Sequence, residues 1–315
     1  MEKHRFTVRE GGRLDTFLRQ ELPALLAVDK VSNSKIRRLI LAGCVSVDGR
    51  QCRIPSFTLR TGASVSVSLD REKFFFEKQP DDKDFTLTEA DVLFEDEALI
   101  IVNKPPFLPT EETIVAGRKN MHQCVVDYLW RKNPTLRNPP YTGIMHRLDR
   151  ETSGALLFTK TRAINPAIHE LFESHRIQKT YRAVSKALRK AEFRTPLEGY
   201  IGRISPKSAP CKMGMVAESR GGQYARTDLR LVGQKDGLYY FDCMPHTGRT
   251  HQIRVQLAQA GFPLAGDALY GGATDIPFLP QRIMLHAMRL EFCHPESGEQ
   301  LCIEAALPEG FSFPA

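Results

Sequence analysis

Asp149 stands between two arginines in the run His146-Arg147-Leu148-Asp149-Arg150-Glu151-Thr152-Ser153-Gly154. Nearby positive charge favours the ionised form of a carboxyl group, and an ionised, positioned carboxylate can serve as a nucleophile. The run lies between two apolar stretches and closes on Thr-Ser-Gly, so it reads as a loop entering a strand. A plainer role fits the same residues: Asp149 capping a turn, with Arg147 and Arg150 as surface charges. A metal centre is not expected. His246 and His251 are five apart with no third ligand near them in sequence, Cys293-His294 is an isolated neighbouring pair, and His-Glu-x-x-His spacing is absent. No glycine-rich nucleotide loop is present either.

The elements that must position these residues can be read from periodicity. Strands are predicted at Asp91–Phe94, Ala98–Asn103, Gly154–Lys160, Lys179–Ser185 and Leu238–Met244, and a hairpin from Ile283–Cys293 and Gln300–Ala305. Helices are predicted over Met121–Lys132, Ala163–His175 and Thr250–Ala260, the last closed by Gly261. The alternation lacks regular βαβ spacing, which favours an α+β fold: a mixed, largely antiparallel sheet flanked by helices. Ahead of it lies a small α+β block. Leu14, Phe17 and Leu18 have helical spacing. A second helix starts after Ser32 or Ser34, carries Ile36, Leu39 and Ile40 on one face and Lys35 and Arg38 on another, and stops at Gly43. Val45-Ser46-Val47 alternates as a strand, Asp48-Gly49 turns, a second extended stretch begins near Gln51, and Ser64–Val67 alternates again. These features divide the chain into domains at 1–70 and 90–315. The intervening 71–89, with Pro80 and Asp81-Asp82, reads as a linker in which Phe74-Phe75-Phe76 packs on something.

The chain has 315 residues, enough for two domains with a sizeable core, and its 42% hydrophobic and 26% charged content is that of a globular protein. Apolar runs such as Ala98–Val102 stop at five residues, so no membrane span is expected. No apolar stretch follows Met1–Arg5, and the seven cysteines form no C-x-x-C pair; a cytoplasmic protein with free thiols is expected. The net charge is +7. Residues 1–70 carry 12 Lys/Arg against 7 Asp/Glu, residues 71–100 carry 4 against 10, and residues 101–315 carry 28 against 20. Two basic blocks flanking an acidic bridge suit a polyanionic partner, although chance asymmetry on solvated faces gives the same count.

Four segments carry a resemblance. His146-Arg147-Leu148-Asp149, then Thr152-Ser153-Gly154-Ala155-Leu156-Leu157-Phe158, is similar to the catalytic segment of the RluA family of pseudouridine synthases. Lys179-Thr180-Tyr181-Arg182-Ala183 is similar to a second family segment. His246-Thr247-Gly248-Arg249-Thr250-His251-Gln252-Ile253-Arg254-Val255, running on to Gly266-Asp267-Ala268-Leu269-Tyr270-Gly271, matches a third. Leu285-His286-Ala287 with His294-Pro295-Glu296-Ser297-Gly298-Glu299 matches a fourth. The N-terminal block resembles the alpha-L RNA-binding motif, which precedes the catalytic domain in family members acting on large-subunit ribosomal RNA.

The resemblance implies isomerisation of uridine within RNA: the uracil leaves its ribose carbon, turns over and rejoins through carbon 5, with no cofactor or metal. It implies Asp149 as nucleophile; attack on the sugar carbon and a glycal intermediate both fit. Arg254 matches the partner of that aspartate. Tyr181 matches a tyrosine that stacks on the target base and helps remove the carbon-5 proton. Arg147 matches an arginine that enters the RNA stack where the flipped nucleotide was. Lys104, Arg249 and His251 are further candidates for RNA contacts, with Lys35 and Arg38 on the N-terminal helix. The partner implied is structured RNA, ribosomal in preference to transfer RNA, met by a monomer; a catalytically silent ribosome-assembly factor is the alternative. Three positions depart from the family pattern. Phe107 follows Lys104-Pro105-Pro106 where glycine is usual, and Gln256 and Phe262 stand where histidine is common; changed loop shape or RNA contacts are expected from them.

Overall fold

The computed structural model describes residues 2–26, 28, 31–69, 84–112, 118–189, 191, 193–206 and 211–313. The chain divides into two compact units, one within Met1–Pro80 and the other beginning at Asp81.

The first unit contains β1 (Glu2–Thr7), β2 (Gly12–Arg13), α1 (Leu14–Leu26), α2 (Asn33–Leu41), β3 (Val45–Val47), β4 (Arg50–Gln51), β5 (Thr58–Leu59) and β6 (Ser64–Leu69). The 1-5-9-13 spacing of Leu14, Leu18, Leu22 and Leu26 places one face of α1 in the core, where it meets Ile36 and Ile40 of α2. Ser32 is the residue that caps α2, its hydroxyl accepting from the Lys35 amide at 3.3 Å. Gly43 ends the helix at φ +78°, a conformation that glycine adopts without a Cβ penalty. In β6 the valines and Leu69 are buried and the serines half-buried, so the strand is packed on one face. It lies between β1 and β3 in a sheet of order β1-β6-β3-β4. The N-terminal strand β1 was not foreseen; its apolar residue Phe6 only edges the core.

The second unit is built on one large sheet. Its strands are β7 (Val92–Glu95), β8 (Leu99–Lys104), β9 (Gly143–Ile144), β10 (Ser153–Thr159), β11 (Gln178–Lys186), β12 (Leu197–Arg203), β13 (Met213–Met215), β14 (Gln223–Lys235), β15 (Leu238–Pro245), β16 (Leu285–Cys293) and β17 (Gln300–Glu304). The order is β13-β12-β14-β15-β11-β16-β10-β8-β7, with β17 on β16 and β9 on β10. Among the described residues the β10–β16 pair is parallel and the other pairs are antiparallel, which is the mixed sheet of an α+β fold. Helix α3 (Met121–Lys132) packs Val125 and Leu129 against Val102, Leu156 and Phe158. Helix α4 (Asn165–Glu173) packs Ile168 and Leu171 against Ile101, Ala155 and Leu157. The alternate residues of β8 and β10 therefore go to opposite clusters, and β10 is buried along its whole length, as its unbroken apolar run requires. Helix α5 (Gln252–Gln259) buries Ile253 and Leu257 with Ala183 and Leu285. Gly154 is obligatory: its φ is +116°, and a Cβ there would lie 2.2 Å from the Ala287 carbonyl oxygen of the parallel neighbour.

Residues 84–89 are not linker. Leu87 is fully buried in the α3 cluster, and its carbonyl accepts from Arg131 at 2.7 Å. The surrounding acidic residues concealed the short Phe85-Thr86-Leu87 alternation. Phe74-Phe75-Phe76, Pro80 and Asp81-Asp82 lie outside the described residues. Strands β12, β13 and β14 were also missed. The buried positions of β14 are filled by Ala225, Thr227 and Leu229, two of them too small or polar to stand out from their neighbours. Among the described residues no helix is long and apolar enough to cross a membrane.

Candidate active site

The loop between β9 and β10 carries Asp149, and its backbone is held on both sides of that residue. Thr110 Oγ1 donates to the Leu148 carbonyl at 2.8 Å and accepts from the Leu148 amide at 3.2 Å. Lys104 Nζ donates to the carbonyls of Arg150, Leu108 and Pro105 at 3.1, 2.7 and 2.9 Å. Arg282 reaches the Glu151 carbonyl at 3.3 Å and the Ser153 hydroxyl at 2.8 Å, and that hydroxyl also bonds His286 Nδ1 at 2.7 Å. His146, pushed down to about 3 by burial and by the Lys179 charge, stays neutral and accepts from the Leu157 amide at 2.9 Å.

Lys104 thus corrects an expectation. It is fully buried, out of reach of RNA, and ties the 105–108 segment to the loop that carries Asp149. Burial and the Arg282 charge pull its pKa down to about 7, and the three carbonyls oppose the loss of its proton. Lys104→Met removes every one of these bonds and leaves the carbonyls without donors. A stability loss of about 3 kcal/mol or more in denaturant unfolding is the expected outcome, with no change in the salt dependence of RNA binding. Phe107, where glycine is usual in the family resembled, takes a left-handed backbone (φ +65°), and its ring lies 5.5 Å from the Arg150 guanidinium, against the loop that carries Asp149.

The arginines beside Asp149 do not serve it. Arg147 pairs with Glu111 at 2.7 Å and Arg150 with Glu151 at 3.0 Å. The cation that reaches Asp149 comes from 105 residues away: Arg254 Nη1, in the first turn of α5, lies 3.1 Å from Asp149 Oδ2. Asp267 grips the other side of the same guanidinium, accepting from Nε at 2.7 Å and from Nη2 at 3.0 Å. The Arg254 and Asp267 side chains are 5% and 1% exposed, and Asp149 keeps 24%. Burial works against charge on Arg254, but the bonds from Asp267 and Asp149 outweigh it and hold the guanidinium above its ordinary range. The fork of Asp267 on Nε and Nη2 fixes the plane of the guanidinium, and one of the two Nη1 hydrogens is then aimed at Asp149. Asp267 escaped attention as a site residue; its signal was the place of an acid in the Gly266–Gly271 match.

His251 begins this turn with φ +56°. Its Nδ1 lies 2.8 Å from the Tyr270 hydroxyl, which accepts from the Met213 amide at 2.9 Å. The hydroxyl and His251 Nδ1 share one hydrogen bond, and His251 Nε2 lies 3.8 Å from Asp149 Oδ2. Burial lowers the His251 pKa and keeps the ring neutral. His251 thus stands against Asp149 and is only slightly exposed.

These groups line a cleft of about 600 Å³ shared by Arg147, Asp149, Tyr181, Arg249, His251 and Arg254. Tyr181 follows a register shift in the β11–β16 pairing that turns its side chain. Burial, with the Asp149 charge adding to it, raises the Tyr181 pKa, so the ring is a neutral phenol. Arg147 is 63% exposed at the cleft, and its pair with Glu111 is of the solvent-screened kind that a stronger partner can displace. Arg249 donates to the Tyr224 carbonyl at 3.0 Å. Lys35 and Arg38 lie on α2 of the first unit, where Arg38 is exposed and Lys35 half-buried. Gln256 and Phe262 are corrections: both are buried. Gln256 bonds Thr227, Leu197 and Ala225, and Phe262 packs on Tyr239 and Phe241, so neither can meet RNA.

A family described as RNA pseudouridylate synthase matches residues 98–259, and the S4 domain matches residues 12–65. The chain belongs to the RNA pseudouridylate synthase family. The synthase is 32% identical over 310 residues to ribosomal large subunit pseudouridine synthase D of Neisseria meningitidis serogroup A, covering 95% of this chain and 76% of that one. It is 30% identical over 308 residues to ribosomal large subunit pseudouridine synthase C of Escherichia coli K12, covering 95% and 91%. Its fold is shared with human RNA pseudouridylate synthase domain containing 4, at 22% identity and a TM-score of 0.55 over 70% of this chain and 90% of that one. The synthase is therefore an isomerase acting on RNA, with an S4 domain ahead of its catalytic unit.

Proposed function

We propose that this synthase isomerises uridine in large-subunit ribosomal RNA, with Asp149 as the nucleophile. The observation that carries the assignment of Asp149 is its half-open position: one oxygen is bound to a guanidinium that Asp267 immobilises, while the side chain still faces the cleft beside Tyr181. In the reaction the bond from the ribose C1′ to uracil N1 breaks, the ring turns, a bond from C1′ to C5 forms, and C5 loses a proton as N1 gains one. Atoms balance without an external reactant. The fixed carboxylate meets the electron-poor C1′ as N1 departs, and Arg254 keeps that carboxylate oriented. Tyr181 supplies an aromatic face for the flipped base, and Arg147, released from Glu111, fills the vacated stack.

The ribosomal target is inferred from two supports: the substrates in the names of relatives that match over 95% of this chain, and the S4 match. Seven unpaired cysteines suit a cytoplasmic location. Pseudouridine mapping in ribosomal and transfer RNA, from cells with and without this gene, tests the target. Loss of one or more pseudouridines from large-subunit RNA is expected, restored by the intact gene. Losses confined to transfer RNA overturn the ribosomal assignment.

A further inference from the structure

Four cationic side chains of arginine and lysine line the cleft: Arg147, Lys179, Arg249 and Arg254. Three are engaged within the protein, with Glu111, with the Tyr224 carbonyl, and with Asp149 and Asp267 respectively. Lys179 differs. It sits on β11 two residues before Tyr181, it is largely withdrawn from solvent, and no carboxylate or carbonyl among the described residues receives its ammonium. The Phe172 ring lies 5.9 Å from Nζ, and the ammonium is close enough to His146 to act on its titration. A ring face stabilises a cation only weakly at that distance and does not replace a counter-charge. The opposite wall is Gly248, and the space above it is open: the nearest atom to a Cβ built there is Lys179 Nζ itself, at 4.0 Å.

We propose that Lys179 is the phosphate anchor of the active site, binding a non-bridging oxygen of the RNA backbone next to the uridine presented to Asp149. This rests on the reading of the cleft as the RNA site. An ammonium held in a low-dielectric cleft without a partner is poised for an anion, and burial already depresses its pKa. A phosphodiester is the anion that an RNA brings to within reach of a ribose carbon bound at Asp149. The open space beside Gly248 gives it entry, and among the described residues no carboxylate pairs with the ammonium. The strand shared with Tyr181 ties the register of the backbone to that of the base.

The test uses Lys179→Gln and Lys179→Arg in the full-length protein, with a large-subunit RNA transcript that the unmodified enzyme converts. Affinity is measured against salt concentration, and the single-turnover rate at saturating RNA. Lys179→Gln is expected to weaken RNA binding about tenfold and to reduce the slope of log affinity against log salt by about one. Lys179→Arg is expected to restore most of the affinity and the slope. Unchanged affinity and slope in Lys179→Gln overturn the proposal, whatever the rate. A lower saturated rate with an unchanged slope overturns it as well, since it places the ammonium on the base or in the fold. If Lys179→Gln does not fold, Lys179→Met, which keeps the apolar stem and removes the charge, takes its place with the same supporting and overturning outcomes. Failure of the unmodified enzyme to convert any RNA is a separate result, against the reading of the cleft itself.

Discussion

Asp149→Asn abolishes pseudouridine formation, by about 10⁴-fold or more, while the protein still folds and binds RNA. The amide matches the carboxylate in shape but carries no charge for an electron-poor ribose carbon, and loss of a lone catalytic carboxylate has costs of this order. The fold survives because the support of this loop runs through backbone: Thr110 to Leu148, Lys104 to Arg150 and Arg282 to Glu151. The Thr152 amide bonds the Asp149 carbonyl, not its side chain. Arg254 also keeps its two bonds to Asp267 when Asp149 is neutral. Tritium release from carbon 5 of labelled RNA measures the loss, with Asp149→Ala alongside to exclude activity regained by deamidation. Appreciable turnover in Asp149→Ala rules out this residue as nucleophile. Release of free uracil by the unmodified enzyme indicates a glycosidase instead of an isomerase.

The second large effect comes from a residue that does not line the cleft. Asp267→Asn lowers kcat about 100-fold and leaves KM close to its original value. An amide has one acceptor oxygen where the carboxylate offers two, so the guanidinium loses its fork and can swing. Misplacement of a catalytic group by about 1 Å costs a factor of this size. Because Arg254 is nearly fully buried, weakening its counter-charge also destabilises the protein, by about 3 kcal/mol. Thermal unfolding gives the fraction folded, and kcat is corrected for it. A purely structural Asp267 predicts a corrected kcat equal to that of the unmodified enzyme, and this outcome refutes the positioning role. Asp267→Glu, which retains two acceptors at a different reach, is expected to fall between the two.

Much of the architecture could be read in advance because it rests on local periodicity. The predicted helix over Met121–Lys132 coincides with α3, and the strands from Ala98, Gly154, Lys179 and Leu238 lie within a residue of β8, β10, β11 and β15. Each has an apolar pattern that can be satisfied in only one way. The arm of β12, β13 and β14 lacked such a pattern: β12 buries only Leu197 and Ile201, β13 buries no residue, and two of the three buried residues of β14 are Ala225 and Thr227. Helix α5 begins at Gln252 instead of Thr250, since His251 takes a left-handed backbone to face Tyr270.

The chemistry divides along the same line. Asp149, Tyr181 and Arg254 were singled out by short runs of sequence that resemble the family's, and the structure brings all three to one cleft. Which charges meet was another matter. Adjacency suggested Arg147 and Arg150 for Asp149 and only the resemblance implied Arg254; the fold turns both neighbours to glutamates, delivers Arg254 across 105 residues and adds Asp267 behind it. Lysine is normally a surface residue, so Lys104 looked like an RNA contact until the fold surrounded it with three carbonyls. The kind of reaction is a property of residue types in order along the chain. The pairing of charges depends on a few ångströms and on exclusion of water, and both are created only when distant segments pack.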